Sequence, residues 1–116
     1  MKTIKAISLM LIIMLALSAT AQEEQKTKEI TIKSSVVCEM CKERIEHDMA
    51  FEKGVKEVTV NLKTKEIDIT YRTDKTNPDK LRTAISKIGY DADDVEAEAK
   101  AYAKLPRCCK KDVAPH

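Results

Sequence analysis

Hydrophobic and polar residues alternate along three short stretches of the chain, and this alternation predicts three half-buried strands. The stretches are residues 30–33, 58–62 and 67–71, where isoleucine, valine, leucine or tyrosine occupies every second position. A polar turn at residues 61–65 separates the second stretch from the third. These two strands are therefore expected to pair as a hairpin.

Two other stretches carry apolar residues at helical spacing. In the first, Cys41 and Met49 share a face with an intervening isoleucine, and a helix there should end near Gly54. The second helix is expected to start at Pro78, directly after an asparagine suited to the N-cap, and to stop at Gly89. The chain thus alternates between strand and helix patterns.

A short final strand within residues 90–95 would complete the order β-α-β-β-α-β, the ferredoxin-like split arrangement. The predicted fold class is α+β, with an antiparallel sheet and two helices on one face. Residues 29–95 would form this domain, and residues 96–116 a C-terminal helix, stopped by Pro106, with a Cys-Cys tail. The helical spacing of this extension is carried by Val95, Ala99, Tyr102 and Leu105.

The N-terminus has the pattern of a cleaved signal peptide over residues 1–21. Two lysines precede an apolar run at residues 6–17, and small residues follow at 19–21. The run is shorter than the about 20 apolar residues of a membrane span. We therefore expect a mature chain that begins at Gln22 with a flexible lead-in over residues 22–28, is periplasmic or secreted, and has no stable membrane insertion.

Net charge and cysteine spacing reduce the number of function classes that the sequence allows. The chain has 116 residues, room for one domain, and loss of the two N-terminal lysines takes its net charge from +2 to 0. With no basic excess and one phenylalanine and three tyrosines for stacking, nucleic acid is not expected as a partner. Four cysteines in a small exported chain would suggest two structural disulfides, but a CxxC and a vicinal pair close loops too short to stabilise a fold much.

Cys38 and Cys41 form the CxxC and fall where the first helix begins. The N-terminal end of a helix favours negative charge and lowers thiol pKa values, and the thiolate is the species that binds metal or attacks a disulfide. Two soft anionic ligands suit Cu(I), whereas Zn(II) prefers four ligands. Met40, between the cysteines, is either a packing residue or a third ligand. A redox-active or idle disulfide is the main alternative, but the chain lacks the tryptophan of a thioredoxin-like module.

The segments VVCEMC at residues 36–41, GV at 54–55 and GYDA at 89–92, together with the predicted order of elements, resemble the heavy-metal-associated domain. That family includes copper chaperones, metal-binding modules of copper-exporting ATPases and the periplasmic mercury-binding protein. The resemblance implies a ferredoxin-like fold that carries a soft metal between Cys38 and Cys41. It also implies that Tyr90 packs beside the metal-binding loop.

The chain departs from the family pattern next to the first cysteine. Ser35 and Val36 stand where the family usually has Gly-Met, and Val36 would fill the supporting role of that methionine with less volume. Zinc-selective members often carry an acidic residue directly before the first cysteine. Val37 is not acidic, which favours copper.

These observations lead to a functional hypothesis. We expect an exported carrier or scavenger without catalytic activity that binds Cu(I), with Zn(II) or Hg(II) as alternatives, and passes it on by thiolate exchange. Its partner would be a metal-transport ATPase or another thiol-bearing metal donor or acceptor. The chain would be a monomer, which a shared metal could bridge into a dimer. The alternative is an extracytoplasmic thiol-disulfide redox protein that uses the CxxC pair.

Cys108 and Cys109 are a further pair that the family pattern does not supply. A helix from Asp93 to Lys104 would be long enough, at about 1.5 Å per residue, to recross a small domain. We therefore predict that the two cysteines approach the Cys38–Cys41 loop and add one or two sulfurs to the site. In the alternative, the tail is disordered and its thiols oxidise, pair between chains or bind metal separately.

Overall fold

A computed structural model describes residues 26–110. Its sheet has three antiparallel strands, β1 (Thr27–Lys33), β2 (Val55–Asn61) and β3 (Glu66–Arg72). The strands lie in the order β1-β3-β2, so that β3 is central and pairs with both neighbours. The predicted hairpin of β2 and β3 is confirmed.

One face of this sheet is apolar and the other polar, as the alternation requires. In the register, Ile67 of β3 lies opposite Ile32 of β1 and Val60 of β2. On the opposite face, the Thr31 hydroxyl donates a hydrogen bond of 2.7 Å to the Asp68 carboxylate. The sheet residues that reach the core are Ile32, Val60, Ile67, Ile69 and Tyr71, with Ile30 and Val58 packed against them.

Two helices cover the apolar face, α1 (Glu39–Ala50) and α2 (Pro78–Ile88). The Asn77 side chain caps α2 by accepting a hydrogen bond of 2.9 Å from the Lys80 backbone N–H. Gly89 ends this helix with a φ of 117°, a conformation that favours glycine. The buried helix residues are Cys41, Ile45 and Met49 of α1 and Leu81, Ile85 and Ser86 of α2. These elements form the ferredoxin-like α+β fold.

The predicted final strand is wrong in detail, because the chain turns back before a strand can form. Ala92 bridges to Ser34 on one side and to Val95 on the other. Ala92 and Val95 exchange backbone hydrogen bonds of 2.8 and 2.9 Å, and Asp93 between them has a φ of 53°. The Asp93 carboxylate also accepts a hydrogen bond of 2.9 Å from the Lys33 backbone N–H, which fixes this turn against the end of β1.

The C-terminal helix is present but shorter than predicted. Helix α3 spans Ala99–Ala103, five residues. The residues before it cannot be helical, because the Ser86 hydroxyl donates to the Glu96 carbonyl at 2.6 Å and the Glu98 N–H donates to the Ser86 carbonyl at 3.0 Å. After Pro106, the chain forms one turn of 3₁₀ helix, Arg107–Cys109.

The predicted signal peptide at residues 1–21 lies outside the described residues, as do residues 22–25 of the lead-in and the last six residues of the tail. The rest of the predicted lead-in is partly wrong, since β1 already starts at Thr27, where pairing with Arg72 of β3 orders the backbone. Within residues 26–110, no helix is long and apolar enough to cross a membrane.

Candidate metal centre

The Cys38–Cys41 pair sits at the start of α1, as the sequence predicts. Cys38 is the N-cap residue, with an extended backbone (φ −150°, ψ 171°), and Cys41 lies in the first turn. The Cys38 carbonyl accepts hydrogen bonds from the Cys41 and Lys42 backbone N–H groups at 3.0 and 3.2 Å. This turn brings the two Sγ atoms to 3.3 Å from each other. Cys38 is half-buried and Cys41 fully buried.

The segment before Cys38 is tied to the turn after α2. The Ser35 hydroxyl accepts a hydrogen bond of 3.0 Å from the Asp91 backbone N–H. Val36 is fully buried and packs in the core. The anchoring role of Ser35 was missed from the sequence, where its only signal was a hydroxyl at a position that the family usually fills with glycine.

Tyr90 lies beneath this loop, fully buried, beside the thiols of Cys41 and Cys109. Burial raises the pKa of the Tyr90 phenol far above its ordinary value. Within residues 26–110 the hydroxyl has no hydrogen-bond partner at ordinary distance. It is therefore a protonated donor next to sulfur, ready for a thiolate that a bound metal would stabilise.

The structure also brings the C-terminal cysteines to this loop. The Sγ atom of Cys109 lies 3.7 Å from that of Cys38 and 3.9 Å from that of Cys108. The sulfurs of Cys38, Cys108 and Cys109 all lie within 4.8 Å of one another. Cys109 is 1% exposed, and all four cysteines are free thiols. That these residues bind metal stays a prediction.

Residues 105–110, here called the cysteine tail, reach the loop by crossing the end of α2. Leu105 is buried in the core. A Cβ atom at Gly89 would lie 3.0 Å from the Ala101 carbonyl oxygen and 3.1 Å from Leu105 Cγ, so the crossing requires glycine at that point. At the far end of the tail, the Lys110 ammonium lies 5.9 Å from the Tyr102 ring centroid.

Burial also shifts the pKa of the Cys109 thiol. It raises the pKa of Cys109 strongly, the neighbouring Cys41 and Cys38 thiols add to the rise, and Tyr90 opposes it. Cys109 is consequently a neutral thiol at physiological pH in the metal-free chain. A metal ion that binds here must displace its proton.

The spacing of the sulfurs can be compared with that of thiolates around one ion. With a metal–sulfur bond of about 2.3 Å, two sulfurs lie roughly 3.8 Å apart in a tetrahedral site and roughly 4.0 Å apart in a trigonal one. The distances from Cys109 to Cys38 and Cys108, 3.7 and 3.9 Å, match this range. The Cys38–Cys41 distance of 3.3 Å is shorter, so this pair would open slightly around an ion.

Two further side chains of α1, Met40 and His47, could in principle bind a metal ion. The Met40 thioether is at the rim of the site, 3.4 Å from the Cys108 Sγ atom and 48% exposed. His47 is exposed and hydrogen-bonds to Asp48 at 3.0 Å. Met40 is thus the residue of the two that borders the cysteines.

A sheet with two helices on one face and a CxxC at the first helix define the class of small soft-metal-binding modules. The sequence profile of the heavy-metal-associated domain matches residues 26–91, more than half of the chain, and the chain belongs to this family. The cysteine tail lies beyond the matched residues.

Relatives and solved structures agree with this assignment. A copper-exporting P-type ATPase of Staphylococcus aureus (strain JH9) is 40% identical over 67 residues, which are 58% of this chain and 8% of that protein. The water-soluble region of the P-type ATPase CopA from Bacillus subtilis has a TM-score of 0.56 and 30% identity, covering 60% of this chain and 46% of the other. Oxidised MerP from Ralstonia metallidurans CH34 has a TM-score of 0.55 and 25% identity, covering 58% and 94%. The chain therefore corresponds to a small module of its ATPase relatives.

Proposed function

We propose that this chain is an exported carrier or scavenger of a soft metal ion, Cu(I) in the first place, which Cys38 and Cys41 bind and pass on. The observation that carries the proposal is the pair of thiols 3.3 Å apart at the start of α1 in a heavy-metal-associated domain. The name of the Staphylococcus aureus relative, a copper exporter, supports copper as the cargo. Zn(II) and Hg(II) are the alternatives that sulfur ligands also accept.

Ligand exchange would move the ion without a change in its oxidation state. Each thiol gives up a proton when it binds, and an ion held by two thiolates leaves one side open. A partner's thiolate adds there to give a three-coordinate ion, and one of the chain's own thiolates then dissociates and takes up a proton. Cys38 is half-buried whereas Cys41 is fully buried, so a partner approaches from the Cys38 side.

The partner in this proposal is a metal-transport ATPase or another thiol-bearing metal donor or acceptor. The kinship with copper-exporting P-type ATPases supports this choice. The N-terminal pattern supports cleavage before Gln22 and a periplasmic or secreted location. The carrier would work as a monomer, bridged to its partner or to a second copy only through the metal, and would catalyse no reaction.

The proposal is tested in a chain that keeps Cys38 and Cys41 as its two cysteines. In a chain whose Cys108 and Cys109 are both replaced by serine, we expect one tightly bound Cu(I) ion in competition with a coloured Cu(I) chelator. Adding Cys38→Ser or Cys41→Ser should abolish this binding, while circular dichroism stays that of the folded protein. If the chain with only Cys38 and Cys41 failed to bind Cu(I), or if either further serine left its affinity unchanged, the proposal would be wrong.

The same isolated pair separates metal carriage from the redox alternative. A thiol–disulfide oxidoreductase would turn over a disulfide substrate repeatedly in the presence of a thiol reductant. A carrier would show no such turnover and would bind its ion stoichiometrically. Repeated turnover that depends on both Cys38 and Cys41 would favour the redox function.

A further inference from the structure

We propose that Cys108 and Cys109 are metal ligands that join Cys38 in a three-thiolate centre, so that the cysteine tail is a ligand-bearing lid over the family's site. This inference rests on the proposed function only in that the cargo is the same soft ion. It adds two ligands from a segment outside the residues that the family profile matches.

The spacing of the three sulfurs fits a single bound ion. Cys109 Sγ lies 3.7 Å from Cys38 Sγ and 3.9 Å from Cys108 Sγ, and the three sulfurs fall within 4.8 Å of one another. A trigonal ion with metal–sulfur bonds of about 2.3 Å needs sulfurs roughly 4.0 Å apart. The three thiols therefore require only small shifts to surround one ion.

The unpartnered Tyr90 hydroxyl also indicates that a thiolate forms beside it. A buried hydroxyl without a partner costs stability, so its presence calls for an explanation. It is fully buried between the thiols of Cys41, from the family pair, and Cys109, from the tail. A thiolate formed on metal binding would supply the missing acceptor.

The charges next to the cysteines also favour a three-thiolate site. Three thiolates around a monovalent ion leave two negative charges, which a partly buried site must balance. The cysteine tail carries Arg107 and Lys110 on either side of its two cysteines, and Cys38 sits at the N-terminal end of the 12-residue helix α1. The helix dipole and the two cations both favour the anionic site.

Cys38 then belongs to two alternative ligand sets. With the tail closed, the ion is bound by Cys38, Cys108 and Cys109, and the half-exposed Met40 thioether borders the rim. With the tail withdrawn, buried Cys41, 3.3 Å from Cys38, gives up its proton and replaces the tail thiolates, which leave and take up one proton each, the first from Cys41 and the second from solvent. The open two-thiolate state is the one from which a partner takes the ion.

The tail is held weakly enough to leave. Apart from the ligand Cys109 itself, its one buried side chain among the described residues is Leu105, and the helix before it, α3, has only five residues. A metal ion would therefore contribute much of the stability of the closed state. Binding of the metal and docking of the tail should be coupled.

X-ray absorption of the Cu(I)-loaded full chain counts the sulfurs. We expect three sulfurs per copper in the wild-type chain and two after both Cys108 and Cys109 are changed to serine. A tethered second pair of ligands acts at high effective concentration, so this double change should weaken Cu(I) affinity about 100-fold against a chelator. Lys104→Ser, an exposed substitution just before the tail, is the matched control and should keep three sulfurs and the wild-type affinity.

Several results would overturn the inference while leaving the proposed function intact. One is two sulfurs per copper and equal affinity in the wild-type and double-serine chains. Another is a third sulfur that persists after both serine changes. A third is a second copper ion per chain that Cys38→Ser does not affect, which would place the tail cysteines in a separate site. Failure of the double-serine chain to bind copper at all would instead contradict the proposed function.

Discussion

Two regions of this molecule carry a pair of cysteines to the same place, and they are built differently. The cysteine loop, residues 34–41, is part of the packed domain and is fixed by Val36, by the first turn of α1 and by the Ser35–Asp91 hydrogen bond. The cysteine tail reaches the loop through a five-residue helix and one buried leucine. Ligands on a rigid frame set a permanent site, whereas ligands on a loosely held segment can come and go.

The largest expected effect is a difference in Cu(I) affinity between two variants of the wild-type chain, one changed at Cys38 and the other at Cys41. Cys38→Ser should weaken Cu(I) affinity by well over the roughly 100-fold typical for loss of an outer-shell partner, because Cys38 belongs to both ligand sets. Cys41→Ser, the matched control, should have a clearly smaller effect while the tail thiols are present. Chelator competition measures both. Equal losses in the two variants would show that the tail does not substitute for Cys41.

The next effect concerns the place where the tail crosses α2. Gly89→Ala should lower the free energy of unfolding by about 1–3 kcal/mol, because φ is 117°, and should also push the tail away from the loop. Copper in this variant should have two sulfurs and the affinity of the double-serine chain.

The control for this variant is Gly54→Ala, where φ is 82° and the close neighbours are Lys75 and Thr76, in the loop before α2. It should lose comparable stability in denaturant unfolding but retain three sulfurs by X-ray absorption. If Gly54→Ala changed the sulfur count as much as Gly89→Ala does, general destabilisation and not tail displacement would be the cause.

A smaller effect is expected for Tyr90→Phe. The stability of the metal-free chain should stay equal or rise, whereas the affinity for copper should fall. Removal of an unpartnered buried hydroxyl should leave the metal-free chain equally stable or more stable by about 1 kcal/mol. Copper affinity should fall by about 10-fold, because the thiolates lose a hydrogen-bond donor. Thermal unfolding without metal and chelator competition measure the two quantities. A loss of metal-free stability together with unchanged affinity would assign the hydroxyl a purely structural role.

The smallest effect is at the turn that replaces the predicted last strand. Burial acts to raise the pKa of Asp93, but hydrogen bonds from Arg82 and from the Lys33 backbone N–H, with the Arg82 charge, hold it below its ordinary value. Because the folded-state pKa is lowered, this stabilisation is present above the unfolded pKa of about 3.9 and is lost as the pH falls through the folded pKa.

Asp93→Asn should therefore cost on the order of 1 kcal/mol in denaturant unfolding at pH 7, allowing for solvent screening of a partly exposed pair. The difference from the wild-type chain should shrink as the pH falls below about 4. A difference that is constant over this range would mean that the ion pair contributes nothing. Copper affinity should be unchanged, since Asp93 does not contact the sulfurs.

The local patterns were sufficient to predict most of the fold. Alternation predicts the three strands, and Asn77, Pro78 and Gly89 mark the ends of α2 through capping rules that act over a few residues. The missing last strand and the short α3 could not be predicted this way. Both depend on tertiary hydrogen bonds, from the Lys33 backbone N–H to the Asp93 carboxylate and from the Ser86 hydroxyl to the Glu96 carbonyl, which no local pattern contains.

The candidate metal centre could likewise be predicted only in part from local sequence. The Cys38–Cys41 pair follows from its spacing and its place at a helix start. The approach of Cys109 could be inferred only as one of two alternatives, because it depends on the path of the chain across Gly89. The anchoring hydrogen bond of Ser35 depends on a turn 56 residues away in sequence.

The central claim is that this chain binds a soft metal ion through its cysteines, and native mass spectrometry tests it most directly. The chain, with its thiols reduced, would be offered Cu(I), Zn(II) and Hg(II), first singly and then Cu(I) against Zn(II). The account predicts one Cu(I) ion per chain that Zn(II) does not displace, and no copper when Cys38 and Cys41 are both serine. A chain that stays metal-free with its thiols reduced, or that binds Cu(I) equally well without Cys38 and Cys41, would contradict the account.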